Sequence, residues 1–189
     1  AEAPADTTPA RPAAGTPAAP AVDAPAGSTA DYTSIEDVLA NLPSDARPDE
    51  QLGWDSSRVA KARKWFAENA VGKTIATRVT VFDTTVGLRR PPANAEDDTP
   101  RYRIEFELQP DRFRLFDMTH EGRLRNEAGL PLSITVNPAV ARNASRAFQP
   151  GQELPVVGTI KSVTLPLATS TRTLIDVRLG DYKLANFEP

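Results

Sequence analysis

Residues 150–165, PGQELPVVGTIKSVTL, constrain this chain more than any other stretch. Gln149-Pro150-Gly151-Gln152 is turn chemistry, because proline presets its own φ and glycine supplies a positive one. A long β-type run follows, with one interior glycine, Gly158. Leu154, Val156 and Ile160 share one parity, and Val163 and Leu165 fall on the other. A strand whose buried face changes after a glycine predicts a bulge or a sharp bend. Small closed barrels need such a bend to turn a corner.

The rest of the chain reads as what that strand pairs with. Residues 73–81 alternate, with Ile75, Thr77, Val79 and Val81 against Thr74, Ala76, Arg78 and Thr80. In residues 101–108, Tyr102, Ile104, Phe106 and Leu108 share one face, and Arg101, Arg103, Glu105 and Glu107 the other. That pattern predicts a half-buried antiparallel strand with a solvated charged face. A short strand is expected over 132–136 and a last one over 174–182, with Ile175, Val177 and Leu179 inward. Asn137-Pro138 predicts a helix between them, with proline at its first position. Residues 83–100 read as a long polar loop. Residues 109–131 fit a hairpin or a short helix equally well, although Phe113, Leu115 and Phe116 need burial. The expected core is Ile75, Val79, Tyr102, Ile104, Phe106, Ile134, Val136, Val156, Ile160, Ile175 and Val177.

Two helices are expected before the strands. Thr33 and Glu36 have the spacing of a capping box, ahead of the stripe Ile35, Val38, Leu39 and Leu42. Asp55-Ser56-Ser57 caps a second helix, whose Val59, Ala62, Trp65, Phe66 and Ala70 form an apolar stripe suited to packing. The predicted fold is mainly β: a five-stranded OB-type Greek-key barrel with a helix between strands 3 and 4. Residues 1–30 form a tether, 31–70 a helical N-terminal segment, and 71–189 the barrel.

Gly72-Lys73-Thr74-Ile75, Ile134-Thr135-Val136, the helix, Pro150-Gly151-Gln152-Glu153-Leu154 and Val157-Gly158-Thr159-Ile160 together resemble the tRNA_anti-like OB-fold family. The resemblance covers residues 71–185. It implies a small bacterial domain, often exported, of a family mostly without an assigned activity.

Composition narrows the function. Residues 1–30 hold 12 Ala and 6 Pro. Such a segment has too little apolar surface to offset its ordering entropy, and its prolines favour extended backbone. Ala1-Glu2-Ala3 is the kind of sequence that follows a signal-peptidase cut, so an exported protein of the periplasm or cell envelope is expected. Residues 1–70 carry 6 Lys/Arg against 11 Asp/Glu, and residues 71–189 carry 16 against 14. Neither part is a polycation that demands nucleic acid or an anionic membrane. No apolar run is long enough to span a bilayer. There is no cysteine, so disulfides and thiolate sites are excluded.

No catalytic constellation is legible, and the chain is read as non-enzymatic with no cofactor. His120, the single histidine, lies in a polar stretch with no nucleophile beside it, and is expected in a solvated loop. Single-stranded nucleic acid binding needs a basic groove and exposed aromatic platforms. Arg101 and Arg103 point outward but beside Glu105 and Glu107, the other outward cations Arg78, Lys161 and Arg178 have no aromatic beside them, and the aromatics Tyr102 and Phe106 sit on the core parity. The expected function is therefore an exported module that binds protein, through tail 1–30 and loop 83–100. Nucleic-acid binding is the alternative and is not the expected partnership. The candidate ligand-binding residues are Arg78, Arg89, Arg90, Arg101, Arg103, Lys161 and Arg172.

Overall fold

The computed structural model describes residues 29–49, 52–89, 100–165 and 173–184. The expected tether, apart from its last two residues, lies outside these, as do positions 90–99 of the 83–100 loop. Helix α1 (Ile35–Ala40) is capped by Ser34, whose Oγ accepts the Asp37 N–H at 3.0 Å. Asp37 in turn takes the Thr33 N–H at 3.0 Å. Ser34/Asp37 thus replaces the expected Thr33/Glu36; both pairs have the capping-box spacing, and spacing alone does not choose between them. Helix α2 (Ser56–Asn69) begins as expected, with the Arg58 N–H donated to Asp55 Oδ1 at 2.9 Å. It buries Val59, Ala62 and Phe66. Gly72 then turns the chain with φ +85°, a region costly for other residues. Its N–H reaches Ile160 O at 2.8 Å, and the Ile160 N–H returns to Lys73 O at 2.9 Å.

The strands are β1 (Thr74–Arg89), β2 (Arg101–Leu108), β3 (Asp111–Leu115), β4 (Met118–Asn126), β5 (Leu132–Val136), β6 (Glu153–Thr164) and β7 (Thr173–Leu184), with helix α3 (Pro138–Ala147) between β5 and β6. They form one sheet in the order β3-β4-β7-β6-β1-β2-β5. Seven strands correct the expectation of five. The physical reason is that two long strands are each broken. β3 resumes just after β2, across Gln109-Pro110, where proline has no N–H to continue a ladder. β5 resumes after β4 across residues 127–131. β2 pairs with β5 and β3 with β4, so the four segments run as one kinked hairpin. The two ends of the sheet are thereby joined through the chain, which gives a mainly β, barrel-like course of OB type. Among these seven strands only β4 and β7 pair in parallel, from His120↔Thr173 to Asn126↔Leu179.

The β3–β4 turn places Phe116 and Asp117 at φ 52° and 58°. Consecutive left-handed residues are the geometry of a tight hairpin turn normally signalled by Asn-Gly or Asp-Gly. Phe-Asp gives no such signal, which is why residues 109–131 resist reading.

The expected bend in β6 is present but is made of two opposed irregularities. Val157 pairs Lys183 and Thr159 pairs Gly180, so Gly158 alone faces two residues, Asp181 and Tyr182. Next, Ile160 pairs Leu179 and Ser162 pairs Arg178, leaving Lys161 as the extra residue on β6. The buried parity changes at Lys161, between Ile160 and Val163, and not at Gly158. The two extra residues meet: Lys161 Nζ lies 3.4 Å from Asp181 Oδ2.

Of the expected core, Ile75, Ile104, Phe106, Val136, Val156, Ile160, Ile175 and Val177 are buried. Val79, Tyr102 and Ile134 are partly buried against them. α3 seals the β2 side through Phe148, whose ring meets Phe106 edge-on at 5.0 Å.

Candidate nucleic-acid interface

β1 is longer than its alternation suggested. Its ladder with β6 ends at Thr80↔Glu153, and it then continues to Arg89 on β2 alone. Residues 83–89, expected in a loop, are therefore strand. They were illegible because Asp83, Gly87 and Arg89 interrupt the apolar rhythm, and cross-strand pairing supplies the order instead. The register slips between Val81 and Asp83. Phe82 sits in that slip and is 57% exposed.

Beyond the slip, Thr84, Val86 and Leu88 share a face with Tyr102, Ile104 and Phe106. Thr85, Gly87 and Arg89 share the other with Arg101, Arg103 and Glu105, and with Ser133 and Thr135 on β5. This outer face forms a groove in two connected parts of about 490 Å³ each. One part is lined by Phe82, Glu105, Glu107, Arg123 and Arg125, with Pro110 and Pro131 at the two strand breaks. The other is lined by Arg89, Arg103, Ser133 and Thr135, and Thr85 and Glu105 are common to both.

The cations differ in how firmly they are held. Arg103 Nε lies 3.1 Å from Glu105 Oε1 and donates to Ser133 Oγ at 3.0 Å. Arg89 Nη1 donates to Thr135 Oγ1 at 3.2 Å. Arg123 and Arg125 form no ion pair with the described residues. Two cross-strand pairs set arginine opposite arginine, Arg89↔Arg101 and Arg125↔Arg178. Like charges placed so are destabilising.

Of the residues nominated from sequence, the structure brings Arg89, Arg101 and Arg103 together on the arm formed by β1 beyond Asp83 and its partner β2. Arg78 lies away on the β1–β6 ladder, 3.4 Å from Glu153, and Lys161 is held at the corner by Asp181. Arg90 and Arg172 lie outside the described residues. Sequence reasoning missed Phe82, Arg123 and Arg125. Arg123 and Arg125 alternate with buried Leu124, a strand signal hidden in the unread 109–131 segment.

His120 is corrected from a solvated loop to a fully buried strand residue. Its parity on β4 is that of Gly122 and Leu124, which face the core. The ring stacks on Phe113 at 5.5 Å and meets Trp54 edge-on at 6.4 Å. Nε2 bonds to Leu115 O at 3.0 Å. Burial pulls its pKa below the usual 6.5, and the Leu115 carbonyl opposes the shift. Among the described residues no three His, Asp or Glu side chains gather to hold a metal ion, and no helix is long and apolar enough to cross a membrane.

No protein-family profile matches the chain, and no curated protein sequence matches it. Similar solved structures include the following two. One is from Klebsiella pneumoniae subsp. pneumoniae, described as a candidate nucleic acid-binding lipoprotein. It is 16% identical over 67% of this chain and 78% of its own, with TM-score 0.24. The other is a small single-stranded DNA-binding protein from Streptomyces coelicolor, 20% identical over 62% of this chain and 96% of its own, with TM-score 0.25. The expectation from sequence was a protein-binding module, held to its partner by tail 1–30 and loop 83–100, with nucleic acid set aside. That expectation is corrected. It rested on the lack of an outward aromatic, and Phe82 is one.

Proposed function

We propose that this chain binds single-stranded nucleic acid along the outer face of β1, β2 and β5. The carrying observation is the exposed Phe82 ring in a groove that also presents the guanidinium groups of Arg123 and Arg125, which form no ion pair among the described residues. A stacking ring and phosphate-neutralising cations are the two parts that sequence-tolerant single-strand binding requires. Arg89, Arg101 and Arg103 extend the cationic track along the arm. Glu105 and Glu107 lie in the same groove and hold the electrostatic share of affinity down. The reading is of a modest, salt-sensitive binder without catalysis. The order of strands and helix supports placing the barrel near the tRNA_anti-like OB-fold family, and the Ala/Pro-rich composition of residues 1–30 supports an exported, tethered chain.

Fluorescence anisotropy with labelled single-stranded and duplex oligonucleotides tests the reading. Single strands should bind, with an affinity that falls as salt rises. Phe82→Ala should lose about 1–3 kcal/mol of binding. Absence of binding at low salt, or a Phe82→Ala variant that binds as well as the parent, overturns the proposal.

A further inference from the structure

Beyond Val81 one edge of β1 has no neighbour among the described residues. The β6 ladder stops at Thr80, and Val81 closes on the turn before β6: its N–H bonds to Gln152 O at 2.9 Å, and the Gly151 N–H to Val81 O at 2.8 Å. From Phe82 to Arg89 the strand pairs with β2 alone among the described residues, and every residue of that stretch except Thr84 is exposed. The Thr84 N–H is taken up by the side chain of Asp83, at 2.7 Å, so it points away from β2. Alternation then turns the backbone groups of Val86 and Leu88 to the open edge as well. Proteins usually blunt such an edge with prolines, bulges or like charges, because it is a template for another strand. Here the only charges between Phe82 and Arg89 are Asp83 and Arg89, and they are of opposite sign.

We propose that this edge pairs antiparallel with the same edge of a second copy of the chain, in the register centred on Val86. In that register Val86 faces Val86 of the partner subunit, and Thr84 faces Leu88 of the partner subunit. These are hydrogen-bonded sites, and their side chains lie together on the face opposite the groove. Asp83 faces Arg89 of the partner subunit, and Arg89 faces Asp83 of the partner subunit. Both ion pairs fall at non-hydrogen-bonded sites, where side chains approach most closely. A slip of two residues in either direction brings neither charge opposite its complement. Self-complementarity of this kind is what a two-fold interface demands, and it selects a second copy over an unrelated strand. The contact is a single strand edge, smaller than a standard interface, so assembly depends on concentration. The two arms join into one continuous sheet with both grooves on the same side.

Sedimentation velocity on the full chain without nucleic acid reads this directly and does not depend on the binding proposal. The chain should pass from monomer to dimer as concentration rises. Asp83→Arg and Arg89→Asp should each weaken the dimer by about tenfold or more through like-charge contact. The double variant Asp83→Arg/Arg89→Asp should restore it. Val86→Pro should abolish it, and circular dichroism checks that each variant is folded. These positions are exposed, where substitutions leave stability within about half a kcal/mol, so the charge variants remain informative if Val86→Pro does not fold. A monomer at every concentration overturns the proposal. So does a dimer indifferent to the single charge reversals, or a double variant as weak as the singles.

Discussion

The phenol of Tyr182 on β7 holds both backbone groups of Ser133 on β5: it accepts the Ser133 N–H and donates to the Ser133 carbonyl, each at 2.8 Å. β7 runs beside β4 as far as Leu179. The hydroxyl therefore spans the place where β4 has ended and β5 has begun, and it replaces the ladder that the break removes.

Tyr182→Phe should accordingly leave a part-buried donor and acceptor without partners, at about 1–3 kcal/mol. Urea denaturation measures it. A loss within about half a kcal/mol would show that water takes over both bonds and that the hydroxyl does not close the seam.

Gly158→Ala should destabilise the same region. A Cβ there meets Tyr182 Cβ at 2.8 Å and Tyr182 Cα at 3.2 Å, and backbone cannot step aside as a side-chain tip can. Overpacking of this kind costs roughly 1–3 kcal/mol. Thermal melts of the variant should show a clear fall, and an unchanged midpoint would mean that β7 is free to shift.

Arg123→Ala and Arg125→Ala should each make the plot of log affinity against log salt shallower by about 0.7, the single-strand value per neutralised phosphate. Arg78→Ala, on the other ladder with Glu153, should leave the slope unchanged. Equal slopes for all three variants would place the phosphates elsewhere.

His120 sets an acid limit to stability. Burial depresses its pKa in the folded state below the usual 6.5, so as pH falls the unfolded chain takes up the proton first. Its contribution is complete above about pH 6.5 and is lost as pH falls toward the folded-state value, below which this effect levels off. Melting temperature measured between about pH 5 and pH 8 should fall on the acid side, and His120→Gln should flatten that limb. A parent profile flat across this range would show that His120 takes up its proton without unfolding.

What the sequence made legible was local. Asp55 and Asn137-Pro138 announce their helices because a cap is a contact between near neighbours. Alternation from Arg101 to Leu108 names its own buried face. What stayed hidden depends on partners distant in the chain. The outer half of β1 is ordered by β2, and Phe82 lies at the point where that register slips. The β3–β4 hairpin turns on Phe116-Asp117 without a glycine, and His120 is buried by Trp54 and Phe113 from other elements. The candidate site consists largely of those hidden residues. Arg89, Arg101 and Arg103 were visible as cations, but their company was not.

The extra residues Lys161 and Asp181 cancel each other. Val156 faces Leu184 and Val163 faces Val177 with the same offset, although the pairs between them are displaced by one. Losing one residue from β6 or from β7 alone leaves every later pair out of step, while losing one from each restores the alignment and straightens the corner. Length variation along these two strands is therefore coupled. Related chains are expected to carry both extra residues or neither.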